Sequence, residues 1–281
     1  MSFPFVKGHG TRNDFIVLPD LDGSVHGELA SSVVSALCDR RGGIGADGVL
    51  RVMAVDGGWV GDDGGSGGRE KGDPQWFMDY RNADGSMAQM CGNGVRVFAR
   101  YLQSAGLVDP SRPLTVDTRD GVKTVTFCDD GEISVEMGTA VLGRGVKVTV
   151  EGRSHAARAV DLGNPHAVAI VDSLSVAGDL STAPDVEEAD FPHGVNIEFV
   201  ELRGGDEVVM RVFERGVGET ASCGTGACAA VAAVAAHRGQ SAPATYTVHV
   251  PGGVLTVTTI ADGALHLKGP AVLVASGTWK T

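Results

Sequence analysis

MCGNGVRVFARYL at 90–102 and SCGTGACAAVAAV at 222–234 carry one pattern twice: a cysteine, then Gly-x-Gly, then a run of helix-forming residues. Cys91 and Cys223 therefore each precede a helix, and a single site assembled from the two halves of the chain is expected. At a helix N-terminus the unpaired amides and the positive end of the dipole favour thiolate and bind carboxylates. Helices are expected over Ser31–Arg40, Gly94–Ala105 and Gly226–Arg238. In the second, Val95, Phe98, Ala99 and Leu102 repeat at i, i+3, i+4 and i+7 and form one apolar face. The third is apolar nearly all round and should be buried.

Around the cysteines the repeat extends in register. An offset of 132 lays Met78 over Met210, Asn82 over Glu214, Gly92 over Gly224 and Gly94 over Gly226. The same offset lays GVKTVTF from Gly121 over GVLTVTT from Gly253, and a one-residue slip pairs GTAVL from Gly138 with GPAVL from Gly269. Near the start of each half, Gly-Thr-Arg-Asn13 faces Asp-Leu-Gly-Asn164. Asn13 lies 78 residues before Cys91 and Asn164 lies 59 before Cys223, so the first half carries 19 extra residues. The glycine-rich stretch Asp56–Pro74 has that length and reads as an inserted surface loop. Strands are expected at Asp14–Leu18, Val122–Phe127, Ile133–Met137, Val146–Val150, Ala167–Val171, Val208–Phe213 and Tyr246–Val250. A buried helix surrounded by strands in each half is the simplest packing, which predicts two α+β lobes with the cysteine ends of both helices at a cleft.

Composition narrows the function classes. The chain has 281 residues, 43% of them hydrophobic, enough for two medium cores. Its net charge is −12, with no run of Lys and Arg, so neither nucleic acid nor a membrane surface is an expected partner. The opening MSFPFVKGHGTRNDF lacks the apolar run of a signal peptide, and the longest apolar tract, Ala227–Ala236, is too short to span a bilayer. Five cysteines without any Cys-x-x-Cys point to reduced thiols and a cytoplasmic setting.

Two thiols facing one cavity can form a redox disulfide, bind a soft metal or act as paired general acid and base. Zinc needs three or four ligands, and neither motif brings a third cysteine or a close histidine pair, so no metal is expected. Redox work favours a local Cys-x-x-Cys. Single thiols on opposite sides of a substrate suit proton removal from a carbon next to a carboxylate and delivery to its other face, which inverts the stereocentre without a cofactor. The amides of Gly92, Asn93, Gly224 and Thr225 are then placed to hydrogen-bond the carboxylate as charge spreads onto it. One thiolate and one thiol make the expected resting pair.

At these residues the chain resembles the diaminopimelate epimerases. The resemblance rests on Gly-x-x-Asn-Asp-Phe at 10–15, Asn82-Ala-Asp-Gly-Ser before Met-Cys91-Gly-Asn-Gly, Gly163-Asn-Pro-His166, Asn196-Ile-Glu-Phe, and Glu214-Arg-Gly-Val-Gly-Glu-Thr before Ala-Ser-Cys223-Gly-Thr-Gly-Ala. It implies cofactor-independent interconversion of LL- and meso-diaminopimelate in lysine and peptidoglycan precursor biosynthesis. It also implies a homodimer of two pseudo-symmetric lobes, each a β-barrel around a central helix. Position by position, Cys91 and Cys223 match the proton donor and acceptor, and His166 and Glu214 match residues assisting them. Asn13, Asn82, Asn164, Asn196, Glu214 and Arg215 match substrate contacts, joined by the backbone of Gly92-Asn93 and Gly224-Thr225. These residue types suit a diamino diacid: Arg215 offers a fork for a carboxylate, Glu214 accepts from an ammonium, and asparagines do both. One position departs, because Gly48 stands where the family commonly has a glutamine contact.

Taken singly, the asparagines read as turn or cap residues, His166 as structural, and Glu214 with Arg215 as surface charges; their joint placement reverses that reading. Cys38, Cys128 and Cys228 read as packing residues. The competing readings are a proline or hydroxyproline racemase of the same superfamily and, from another class, a redox-sensing or binding protein that toggles a Cys91–Cys223 disulfide. Proline racemases usually read Cys-Gly-His-Gly where this chain has Cys91-Gly-Asn93-Gly. Following the repeat, and the family's tendency to exchange terminal strands, the first lobe is expected to comprise 1–137 plus 269–281 and the second 138–268.

Overall fold

Both cysteine-headed helices form, two residues earlier than propensity suggests. Helix α2 spans Gly92–Ser104 and α3 spans Gly224–Arg238, with Cys91 and Cys223 as their N-caps. Each thiol sulfur accepts the third helical amide, Gly94 N at 3.4 Å and Gly226 N at 3.3 Å. That capping draws both Gly-x-Gly segments into the first turn despite glycine's low helix propensity. Helix α1, Ser31–Cys38, stops short of the expected Arg40. Asp39 leaves the helix with ψ 121°, and its carboxylate takes the Arg41 amide at 2.8 Å instead.

The computed structural model describes residues 2–55 and 75–280 and divides the chain into two compact units. One is built from Met1–Gly10, Asp14–Val135 and Pro270–Thr281, the other from Thr11–Asn13 and Glu136–Gly269. The glycine-rich stretch 56–74 lies outside the described residues.

In the first unit the strands are β1 (Ser2–Gly10), β2 (Asn13–Pro19), β3 (Gly48–Ala54), β4 (Trp76–Asn82), β5 (Leu114–Asp117), β6 (Lys123–Phe127), the start of β7 (Ile133–Thr139) and the last strand of the chain, β18 (Val272–Lys280). Their pairing order is β18-β1-β2-β3-β4-β5-β6-β7, parallel at β2/β3 and β4/β5. The sheet is two-sided. Ile16, Leu18 and Val49 pack against Val34 and Leu37 of α1, while Phe15 and Leu50, one residue along, lie against the first turn of α2.

In the second unit the main strands are β8 (Val141–Val150), β9 (Arg153–Asp161), β10 (Pro165–Val171), β12 (Asn196–Leu202), β13 (Glu207–Glu214), β15 (Ala244–Val250), β16 (Gly253–Thr259) and β17 (Ala264–Gly269). Short β11 (Asp185–Val186) and β14 (Gly218–Thr220) pair with β8 and β13. The order is β8-β9-β10-β12-β13-β15-β16-β17, with parallel pairs at β10/β12 and β13/β15, the same places as in the first unit. The sequence repeat is thus a repeat of strand pairing.

Helix α3 touches every strand of this order from β9 to β17. Seven strands about 4.8 Å apart would extend roughly 30 Å if flat, against a helix diameter of about 10 Å, so the sheet must curl around the helix. The alanines and valines of α3 are buried nearly all round, as its sequence requires. The fold is α+β, two repeated units each organised on one cysteine-capped helix.

A polar cluster braces the start of the first unit. Asp14 is bonded by Arg40 (Nη2–Oδ1 2.7 Å) and by Lys7. Burial alone would raise its pKa, but these cations outweigh that and lower it to about 2. The stabilisation this gives is complete above the ordinary carboxylate pKa of 3.8 and is lost as pH falls through about 2. Asp14→Asn should therefore cost about 2 kcal/mol at neutral pH and much less near pH 2, read from urea unfolding at both pH values. An equal loss at both would mean that the pair is electrostatically idle.

Candidate active site

The Cys223 region assembles entirely within the second unit. Strands β10 and β12 run parallel, with His166 opposite Asn196, and their alternate residues Ala167, Ala169, Ile197 and Phe199 fill the core on the face away from α3. His166, Asn196 and Glu198 are thereby left facing the helix. From Cys223 a hydrogen-bonded series runs inward. Cys223 Sγ lies 3.5 Å from Thr225 Oγ1, which accepts from Asn164 Nδ2 at 3.3 Å. Asn164 Oδ1 is 3.0 Å from His166 Nε2, and His166 Nδ1 is 2.7 Å from Glu198 Oε1. His166 and Glu198 are fully buried.

The other expected residues of this half are fixed alongside. Asn196 Oδ1 accepts the Arg215 amide at 2.9 Å, and its Nδ2 donates to Pro165 O at 3.3 Å, tying β10, β12 and the end of β13 together. Glu214 accepts from the Thr220 hydroxyl, and the Arg215 guanidinium donates to His193 O at 2.9 Å. Asn13 joins this unit through its neighbour Thr11, whose hydroxyl is 2.6 Å from Ser222 Oγ, next to Cys223.

The expectation that a helix end favours thiolate is corrected at Cys223. Burial pushes this thiol well above its ordinary range, and the carboxylates of Glu214 and Glu198 push it further. The Thr225 hydroxyl and Gly226 amide pull the other way and do not prevail. Burial is the larger cause, and the two carboxylates that β13 and β12 bring to Cys223, which its own segment does not reveal, add to it; both favour the thiol form.

Cys91 has a different setting. Its helix shares the geometry, and with Val95 N bonded to Cys91 O at 2.8 Å the helix's own backbone ladder begins at Val95. The Asn93 side chain accepts from buried Arg96 at 2.8 Å. Under this turn lie the apolar Leu50 and Phe15, where the second unit places Glu198 and His166. Asn82 closes β4, opposite Gly48, and donates to Ser86 Oγ at 3.0 Å.

Gly48 itself is explained. A Cβ there would stand 2.6 Å from Arg81 O and 2.8 Å from the Tyr80 ring, so Tyr80 occupies the space a longer side chain would need. Of the remaining cysteines, Cys38 and Cys228 are buried; burial pushes the Cys38 thiol up to about 11. Cys128 is only half-buried, at the turn between β6 and β7.

Glu198 is the site residue that sequence reading passed over. The signal was present: an acidic residue in the apolar run Asn-Ile-Glu-Phe-Val, two residues after Asn196 and so on the same face of the strand.

A family model described as diaminopimelate epimerase matches residues 5–143 and 158–274. The chain belongs to the diaminopimelate epimerase family. A diaminopimelate epimerase of Streptomyces coelicolor is 50% identical over 97% of this chain and 94% of its own length. In fold, a probable proline racemase from Agrobacterium radiobacter K84, with bound carbonate, superposes with a TM-score of 0.69 at 13% identity, covering 98% of this chain and 92% of that one. A phenazine biosynthesis protein of the PhzF family from Bacillus anthracis does so at 0.67 and 15%, over all of both chains. At such identities these two share the fold alone. Family membership makes the chain an isomerase of lysine biosynthesis, and the proline racemase reading is not favoured.

Proposed function

We propose that this chain interconverts LL- and meso-diaminopimelate by a two-base reaction in which Cys91 and Cys223 exchange roles. The supporting observation is that both cysteines occupy the same N-cap of a repeated, buried helix. Starting from the form in which Cys223 carries its proton, Cys91 as thiolate takes the α-proton from one face. The Cys223 thiol then gives its proton to the other, leaving the product with inverted configuration, Cys91 as thiol and Cys223 as thiolate. The reverse direction restores the pair. The amides of Gly92, Asn93, Gly224 and Thr225 receive the substrate carboxylate as it takes up charge.

Asn13, Asn82, Asn164, Asn196, Glu214 and Arg215 bind the rest of the diacid, and His166 and Glu214 assist the cysteines. The reaction needs no cofactor or metal. The working form is a homodimer in the cytoplasm, with a small molecule rather than nucleic acid or a membrane as its partner. Among the described residues no helix is long and apolar enough to cross a membrane.

The test is solvent-deuterium incorporation at the α-carbon of LL-diaminopimelate and of L-proline by the reduced chain, without pyridoxal phosphate or metal. Incorporation into diaminopimelate, with appearance of the meso isomer, is expected. Exchange into proline alone, or into neither, overturns the reading.

A further inference from the structure

Glu198 is a buried carboxylate in a place where the fold does not need one. Under the first turn of α2 the equivalent positions are filled by Leu50 and Phe15, whose carbons would stand 3.3 and 3.6 Å from a Cβ built on Gly94. Under α3 the chain instead spends burial on Glu198 and His166, although an apolar pair of similar size is ordinarily at least as stable. Glu198 Oε1 bonds His166 Nδ1 at 2.7 Å, whereas Oε2 is buried without a hydrogen-bond partner among the described residues. A Cβ built on Gly226 would stand 2.7 Å from Glu198 Oε1 and 3.3 Å from Cys223 Sγ. Carboxylate and thiol are thus within about 6 Å of each other, close enough for one charge to govern the other.

We propose that Glu198 is a positioning residue for this reaction, acting on Cys223 through its charge and fixing His166 beside it, and the proposal rests on the two-cysteine reading above. Its negative charge keeps Cys223 protonated, so that the resting enzyme holds the proton to be delivered on this cysteine. Its bond to Nδ1 sets the orientation of His166. The Thr225 hydroxyl lies 3.5 Å from Sγ whichever tautomer His166 adopts. When Cys223 becomes thiolate during turnover, that hydroxyl is already placed to donate to it. The groups facing Cys223 are Glu214 from β13, Glu198 from β12 and the Thr225 hydroxyl and Gly226 amide of α3; His166 on β10 faces Glu198. Burial and Glu214 also hold the thiol, so removing Glu198 relaxes the hold without abolishing it.

The experiment is an ultraviolet thiolate titration of the free chain, with the Cys223 contribution taken as the difference from a Cys223→Ala chain. Glu198→Gln keeps the shape and removes the charge. It is expected to move the Cys223 titration down by roughly one pH unit. It is also expected to lower kcat about tenfold or more, with KM changed by less than about twofold. Glu198→Asp, which keeps the charge, should titrate as the unmodified chain does. An unmoved Cys223 titration in Glu198→Gln overturns the proposal whatever kcat does. Should Glu198→Gln not fold, His166→Asn leaves the carboxylate without its partner, and Cys223 should then titrate higher; no movement there overturns the proposal equally. The titration uses no substrate, so a chain that fails to epimerise diaminopimelate removes the functional reading and leaves this measurement to decide the role of Glu198.

Discussion

Cys223→Ala is expected to lower epimerisation by roughly 10³-fold or more while the chain stays folded, and Cys91→Ala to do the same. Inversion needs an acid on the face opposite the base, and the other three cysteines are placed elsewhere: Cys38 and Cys228 are buried in the two cores, and Cys128 sits at the turn between β6 and β7. The structural loss is small. Alanine removes the sulfur that accepts Gly226 N at 3.3 Å, a cap worth about 0.5–1 kcal/mol, and the melting temperature should fall by only a few degrees. A single remaining cysteine can still take a proton from its own face and return one from solvent. Each variant should therefore keep slow deuterium exchange into one isomer of diaminopimelate and form little of the other. Normal conversion by either folded variant would remove the two-base reaction.

The two cysteine caps of the candidate site were legible because both halves spell them. Repetition at one offset marks Cys91 with Cys223 and Gly94 with Gly226, and the structure returns the same repeat as strand order. What stayed hidden has physical causes. Strands β3 and β4, GVLRVMA and WFMDYRN, are buried on both faces for most of their length, so neither alternates as a half-exposed strand does. The thiol form of Cys223 is favoured first by burial and then by Glu214 and Glu198, which reach it from other strands, so the local motif pointed the wrong way. The helix starts were missed because Gly-x-Gly is a poor helix former until a capping sulfur holds it. Gly48 looked like a lost contact and is instead the glycine that makes room for Tyr80.

Gly252→Ala is expected to destabilise the chain by about 3 kcal/mol, lowering the melting temperature by roughly 6–12 °C. Its Cβ would fall 1.8 Å from Thr11 O, 2.7 Å from Thr11 C and 2.9 Å from Ala221 O. These are backbone atoms, so no side chain can rotate away to make room. Both sides are also held. Gly252 N donates to Ala221 O at 2.7 Å, and Thr11 is bonded to Ser222 Oγ at 2.6 Å. Thr11 and Arg12 have φ of 48° and 65°, a left-handed turn that non-glycine residues adopt only when their surroundings enforce it. Relief of the clash must move that turn, and with it Asn13, or move Ala221 and Ser222, and with them the cap of α3. Either movement disturbs the site, so the folded variant should show a raised KM or a lowered kcat at temperatures well below its melting point. Gly204→Ala is the control: a Cβ there meets nothing within 4 Å, and the change should stay within about 0.5 kcal/mol. If Gly252→Ala melts and turns over like Gly204→Ala, the close approach of Thr11 to Gly252 is not part of the native packing.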